Sequence, residues 1–253
     1  MKLSELRPNL WLTELNLDDF DVRGAVIVGE QRVLVWDTLS QPRDMRPVMT
    51  LAGDKPIDVV YSHADWDHCW GTAGLRTETI IAHERCADRF RTGEVAARLN
   101  EKKAQEPGQW EAVKLMAPTL TFSQMISLDL GGVGVELHYL PGHTVDCLVA
   151  WIPQWGVLLA GDTVETPLPY LNSESVKLLP KWISALEGWG ETKRMNVVVP
   201  AHGEVGDGSL IERTVNYLCA IQAGTAAFVP DEMSVFYTET HAKNQALMRV
   251  NVG

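Results

Sequence analysis

Apolar residues fall along this chain in short runs closed by glycine, proline or charge. Runs of that length suit buried strands, and strands interleaved with helical stretches point to α/β layering. Near the start, GAVIVGE (24–30) and RVLVWDT (32–38) read as two strands of a hairpin turning at Glu30-Gln31. Met45 to Leu51 reads as a helix, IDVVYSH (57–63) as a buried strand and TIIAHE (79–84) as another. From Arg85 to Lys114 the spacing predicts one or two amphipathic helices, interrupted at Pro107-Gly108. Thr119 to Pro153 alternates through TLTFS, MISLDL, VGVELHYL and CLVAWI, which predicts a β-meander. VLLA (157–160) and NVVVP (196–200) are two further buried strands, with a polar, proline-rich loop over 164–177 and a helix around Trp182 to Trp189 between them. Ser209 to Ala223 predicts an amphipathic helix, and THAKNQAL (240–247) a last one.

The polar residues that matter stand where apolar runs stop. YSH ends at His63, LAGD at Asp162 and VVVPAH at His202, while His143 follows Pro141-Gly142 after ELHYL. Strand ends are where rigid α/β scaffolds collect functional groups. One segment is far denser: Ser62-His63-Ala64-Asp65-Trp66-Asp67-His68-Cys69-Trp70-Gly71 holds two imidazoles and two carboxylates within six residues. In an extended loop, residues two apart project to one side, so His63, Asp65 and Asp67 share a face; His68 then opens a helix and turns toward the same cavity. Imidazole and carboxylate donors together suit zinc, iron or manganese.

These segments resemble the metallo-β-lactamase superfamily over almost the whole chain. The family's H-x-H-x-D-H is matched by H-A-D-W-D-H (63–68), its PGHT turn by PGHTVD (141–146), its G-D-T by GDT (161–163), its PxHG by PAHG (200–203), and its early strand ending in Asp by VWDT (35–38). The resemblance implies a single domain over residues 1–253 with a four-layer αββα sandwich of two mixed sheets flanked by helices. It further implies two divalent ions, zinc by family. His63, Asp65 and His143 would serve metal one, Asp67, His68 and His202 metal two, and Asp162 would bridge them. A hydroxide between the ions would be the nucleophile, because metal binding brings the pKa of water toward about 7. Asp67 and Asp162 are thus the carboxylates expected at the chemistry, Asp67 also orienting the water.

Asp65 departs from that pattern, since the family usually has a third His there. A carboxylate adds negative charge and a harder donor, which makes manganese or iron compatible with metal one and leaves two ions, three aspartates and a hydroxide near neutrality. Three functions stay open. The preferred one is a metal-dependent hydrolase of a small ester, thioester, lactone, amide or phosphoester. The alternatives are a non-haem iron oxidoreductase of the same fold, as in the flavodiiron branch where a Glu fills this position, and a metal-binding relative without turnover.

Composition narrows the partners. A net charge of −11 repels phosphate backbones, so a small molecule is expected rather than nucleic acid, with a homo-oligomer left open. No run approaches the roughly 20 apolar residues of a membrane span, and the N-terminus MKLSELRPNLWLTELN has no signal-peptide core, so a cytoplasmic place is expected. The four cysteines, Cys69, Cys86, Cys147 and Cys219, are scattered and read as small buried hydrophobes. Tyr170 and Asn172 lie in the loop after Asp162 and are candidates for substrate contact, with Trp66 and Trp110 as an apolar wall. Asp37 is a candidate to hold a ligand or loop by hydrogen bonds. His83, His138 and His241 read as structural.

Overall fold

The computed structural model describes residues 1–17, 19–225, 227, 229, 230 and 232–251. Its strands form two mixed sheets. The first runs in sequence order through β1 (Lys2–Arg7), β2 (Leu10–Leu17), β3 (Phe20–Val28), β4 (Val33–Trp36), β5 (Ile57–Val60), β6 (Thr77–His83) and β7 (Leu120–Phe122). It is antiparallel from β1 to β4 and parallel from β4 to β7. The second has the order β12 (Val197–Pro200), β11 (Val157–Gly161), β10 (Leu148–Ile152), β9 (Gly134–Tyr139), β8 (Met125–Asp129), with β11 and β12 parallel and the rest antiparallel.

Residue alternation explains the layering. Along β4, Val33 and Val35 face an outer core while Leu34 and Trp36 face the space between the sheets; along β10, Val149 and Trp151 face outward and Leu148, Ala150 and Ile152 inward. Strands buried on both faces need apolar residues at every position, which is why these runs are continuous. The outer face of the first sheet is covered by α1 (Arg46–Ala52), α3 (Glu84–Arg91) and α4 (Glu94–Gln105), through residues such as Val48, Cys86, Val95 and Leu99. The outer face of the second is covered by α5 (Ser173–Thr192), α6 (Ser209–Ala223) and α7 (Val235–Asn251), through Leu179, Trp182, Leu210 and Leu218 among others. Each such fully buried aliphatic side chain contributes roughly 1.5–3 kcal/mol. The result is the αββα sandwich, with one more short helix, α2 (Trp66–Cys69), inside the dense motif.

Four expectations change. TLTFS is a strand but leaves the meander: β7 pairs in parallel with β6 of the other sheet, because alternation defines a strand and not its partner. The helical break falls at Gly93, whose φ of +84° separates α3 from α4, while Pro107-Gly108 follows the end of α4. The helix around Trp182 starts much earlier, at Ser173, and runs through Pro180. Asn172 and Ser175 form a reciprocal capping box there, which ends the proline-rich loop sooner than composition suggests. Cys219 is exposed, unlike the other three cysteines. Among the described residues no helix is long and apolar enough to cross a membrane.

Candidate metal centre

Parallel pairing puts strand ends side by side, and each sheet contributes one such pair. β4 delivers Asp37 and β5 delivers Ser62 and His63; β11 delivers Asp162 and β12 delivers His202. Groups at the carboxyl ends of parallel strands share one crevice. The two sheets are tied there by the Leu148 N–H donating to the Ser62 carbonyl at 2.9 Å. Close approach also fixes two glycines. Gly161 has φ +54° and an added Cβ would lie 2.9 Å from the Ser62 Cβ; Gly203 has φ +85° and its Cβ would fall 2.0 Å from the Thr166 carbonyl oxygen.

The polar atoms at this crevice form two nests around Asp162. In nest one, Asp65 Oδ2 is 3.6 Å from Nε2 of both His63 and His143, and Asp162 Oδ2 is 3.6 and 3.5 Å from the same nitrogens. In nest two, Asp162 Oδ1 is 3.3 Å from Nε2 of both His68 and His202, which stand 3.8 and 3.7 Å from the two oxygens of Asp67. Four atoms each about 2.0–2.1 Å from a tetrahedral ion lie about 3.4 Å from one another, so both nests have the span of a coordination shell. Each group could hold a metal ion, and Asp162 gives one oxygen to each.

The imidazoles are aimed by their other nitrogens. His68 Nδ1 donates to Asp37 Oδ2 at 2.9 Å, His202 Nδ1 to the Asp21 carbonyl at 2.6 Å, and His143 Nδ1 to the Tyr170 carbonyl at 3.2 Å. Ser62 Oγ gives its single proton to Asp37 Oδ2 at 2.7 Å, so at 3.0 Å from His63 Nδ1 it accepts. All four rings therefore have Nδ1 engaged outward and turn Nε2 inward, so that the neutral ring offers its Nε2 lone pair to the nests. Asp37 also accepts the Ser62 N–H at 2.7 Å and has φ +56°, a left-handed backbone that aspartate tolerates better than most residues.

Buried His63 Nε2, His68 Nε2 and Asp162 Oδ1 have no hydrogen-bond partner, although buried polar atoms almost always do. Asp65 points the same way. It occupies the N-cap position of α2, where a carboxylate normally accepts from the helix amides, yet its side chain makes no capping bond and turns to the nests instead. The charges agree. Against the opposing effect of burial, Asp162 and Asp67 raise His68 well above its ordinary range, Asp65 and Asp162 push His143 up to about 9, and Asp162 pushes His202 up to about 10. Burial also works against the charges of Asp162 and Asp65, but the surrounding histidines hold both carboxyls well below the usual range. The carboxylates demand positive charge, and the donor set fits divalent ions.

The family model of the Metallo-beta-lactamase superfamily matches residues 18–211, which contain every residue of both nests. The chain belongs to this superfamily. It is 28% identical to a metallo-beta-lactamase type 2 of Bacillus sp. (strain 170) over 86% of this chain and 82% of that one, and 26% identical to the Bacillus cereus protein of the same name over the same shares. A metallo-beta-lactamase from Pontibacter korlensis superposes with a TM-score of 0.66 at 20% identity, covering 86% of this chain and 98% of that chain. The sec-alkylsulfatase Pisa1 from Pseudomonas sp. superposes with a TM-score of 0.67 at 18% identity, covering 87% of this chain and 42% of that chain.

In this member of the metallo-beta-lactamase superfamily, the seven residues picked from sequence as ligands all meet at the nests. Asp65, Asp67, His143, Asp162 and His202 line the floor of a cavity of about 750 Å³, with His63 and His68 fully buried beneath it, and Phe20, Trp66, Tyr170 and Phe236 line it too. Asn172 touches the cavity, but its amide is engaged: Oδ1 accepts from the Glu174 and Ser175 amides and Nδ2 donates to the His143 carbonyl. Its contacts make it a cap and a support for His143. The Tyr170 side chain is 40% exposed at the mouth. Trp66 packs edge-on against Trp110 with centroids 5.5 Å apart, and Trp110 is buried behind it. His83 stacks on Tyr139, His138 pairs with Glu136, and His241 meets the Tyr217 hydroxyl, all outside the cavity. The buried Cys69 thiol points at the Ala64 and Asp65 carbonyls.

Other residues of the site carry no local signal in the sequence. Asp21 and Arg23 on β3 brace the His202 turn, Arg23 donating to the Pro200 and Gly203 carbonyls at 3.1 and 2.8 Å. Glu165 lines the cavity and accepts the Tyr170 N–H at 3.0 Å, and burial pushes its carboxyl up to about 7. Arg89 on α3 donates to Asp65 Oδ1 at 2.7 Å. That last contact corrects the charge count made from sequence, because a guanidinium offsets the carboxylate that Asp65 adds.

Proposed function

We propose that this chain is a metal-dependent hydrolase, working as one domain on a small ester, thioester, lactone, amide or phosphoester. The observation that carries the reading is the division of Asp162, one oxygen facing each nest at the floor of an open cavity. His63, Asp65 and His143 would hold one ion, Asp67, His68 and His202 the other, with Asp162 shared. Zinc is the ion the family resemblance implies, and the oxygen that Asp65 brings makes manganese or iron the alternatives. Divalent ions held there supply Lewis-acid activation of water and of the bond to be cut.

The protein's own groups do the rest. Asp67 orients water on the cavity side and accepts the proton that the water sheds. Asp37 and Ser62 keep His63 and His68 in the tautomer that leaves Nε2 unprotonated. Phe20, Trp66 and Phe236 give the substrate an apolar wall, and the Tyr170 hydroxyl at the mouth polarises a carbonyl or steadies an oxyanion. Relatives named β-lactamases support a cyclic amide among the candidate bonds. The acidic charge favours a small molecule over nucleic acid, and we place the protein in the cytoplasm.

Asp65 also supports a second reading, since an oxygen-richer nest suits iron and redox chemistry. Elemental analysis of protein purified without added metal, run beside a panel of ester, thioester, lactone, β-lactam and phosphoester substrates, decides between them. Two zinc or manganese ions per chain with turnover of one panel member is the expected result. Two iron ions that change oxidation state, with no hydrolysis, would overturn hydrolysis in favour of the redox reading.

A further inference from the structure

An aspartate in place of an imidazole raises two physical problems. It adds a full negative charge to nest one, and its two equivalent oxygens let it swing or chelate. Arg89 answers both. Its Nη2 donates to Asp65 Oδ1 at 2.7 Å, which leaves Oδ2 alone to face His63 and His143. Arg89 is not a loose surface cation. Its side chain is 15% exposed, Nη1 donates to the fully buried Asp146 at 2.9 Å and Nε donates to Glu94 at 2.8 Å. The other oxygen of Asp146 accepts the N–H of Ala64, the residue between His63 and Asp65, at 2.9 Å. The guanidinium fork is thus fixed on three carboxylates and tied back to the backbone of the motif itself.

We infer that Asp65 and Arg89 act together as one neutral ligand, the ion pair taking the place of a neutral imidazole, with Arg89 as the positioning residue. The unit is the pair, and it rests on the metal-binding reading above. It has an unexpected consequence for Asp65→His. That substitution makes the motif a three-histidine one, but it removes the carboxylate that stands between the Arg89 guanidinium and the ion, leaving Arg89 to Asp146 and Glu94 alone.

The test is competition titration of metal-free protein with Zn²⁺ against a chromophoric chelator, which reads stoichiometry and affinity without turnover. Wild type is compared with Asp65→His and with Asp65→His/Arg89→Gln; the glutamine amide can still donate to buried Asp146. Asp65→His alone is expected to lower the affinity of the weaker ion by roughly 10–100-fold, the range seen when a group behind a metal ligand is disturbed. Adding Arg89→Gln is expected to bring it back to within about threefold of wild type, by the same charge argument. A merely structural role for Arg89 predicts no such recovery. Asp65→His that binds two ions as tightly as wild type, or a folded double variant with no recovery, would overturn the pairing while leaving the metal reading intact. Wild type that takes up no ion would overturn both. Should the double variant fail to fold, the Asp65→His titration decides by itself.

Discussion

The two nests have the same inventory, two imidazoles, one aspartate of their own and a share of Asp162, yet they are supported differently. Nest two keeps its charge. Behind His68 stands the fully buried Asp37, and among the described residues neither Asp37 nor Asp67 has an arginine or lysine within ion-pair distance. Nest one has a cation behind it, because Asp65, Asp146 and the exposed Glu94 share the Arg89 guanidinium. A cation bound in nest one therefore has a guanidinium directly behind its aspartate, and one bound in nest two has none, at short range and with little solvent screening. The lesson is that ligand identity alone does not rank two sites; the groups one bond further out do.

The substitution that should break both nests at once is Asp162→Ala. It removes one oxygen from each, so zinc content is expected to fall from two ions to one or none and turnover of any accepted substrate by at least about a thousandfold, the scale of losing transition-state charge stabilisation. Activity within tenfold of wild type would separate Asp162 from the chemistry.

Asp37→Ala should break nest two more than nest one. It strands the Ser62 N–H, the Ser62 hydroxyl and the His68 Nδ1–H in a buried place, at about 1–3 kcal/mol for each unpaired donor. The tighter ion is expected to weaken by roughly 10–100-fold. Chemical denaturation and zinc titration check the two halves. Unchanged stability would contradict the aiming role given to Asp37.

Protons sharpen the comparison on a smaller scale. In the metal-free protein His143 and His202 are raised to about 9 and 10 from an ordinary 6.5. A raised histidine stabilises the fold fully below 6.5, and that contribution fades as pH rises through 9 to 10. Metal-free protein is thus expected to lose stability between pH 7 and pH 10. Zinc binding at pH 8 should release protons, read as a dependence of binding heat on the ionisation heat of the buffer. Heats identical in all buffers would contradict it. The smallest effect belongs to Tyr170→Phe. The Tyr170 carbonyl that holds His143 is backbone and survives, so zinc stoichiometry should stay the same while kcat/KM falls less than about a hundredfold, the low end for loss of an oxyanion donor.

Much of this was legible in the sequence for a physical reason. Strands buried on both faces must be apolar throughout, so a His or Asp at the end of YSH, LAGD or VVVPAH stands out, and six of the seven ligand candidates come from such ends or from the dense motif, while His143 follows a Pro-Gly turn after the half-buried β9. Asp37 was readable in the same way from VWDT. Arg89 was not, because it lies 24 residues beyond Asp65 on an amphipathic helix whose facing only the tertiary fold decides. Asp21 and Arg23 reach the His202 turn across some 180 positions, a distance no local pattern encodes. Asp146 stands in PGHTVD, where nothing local gives it a role and only the fold brings Arg89 and the Ala64 amide to it. Asn172 lines the cavity, as its place after Asp162 suggests, and also caps α5, a role that the proline-rich, polar composition around it masks.

The most direct test of the unequal nests is a zinc titration of the metal-free wild-type chain, repeated with Asp67→Ala. The account predicts two ions per wild-type chain, bound with clearly different affinities, and loss of the tighter one in the variant. A wild type that binds a single ion, or a variant that keeps the tighter ion and loses the weaker, would contradict it.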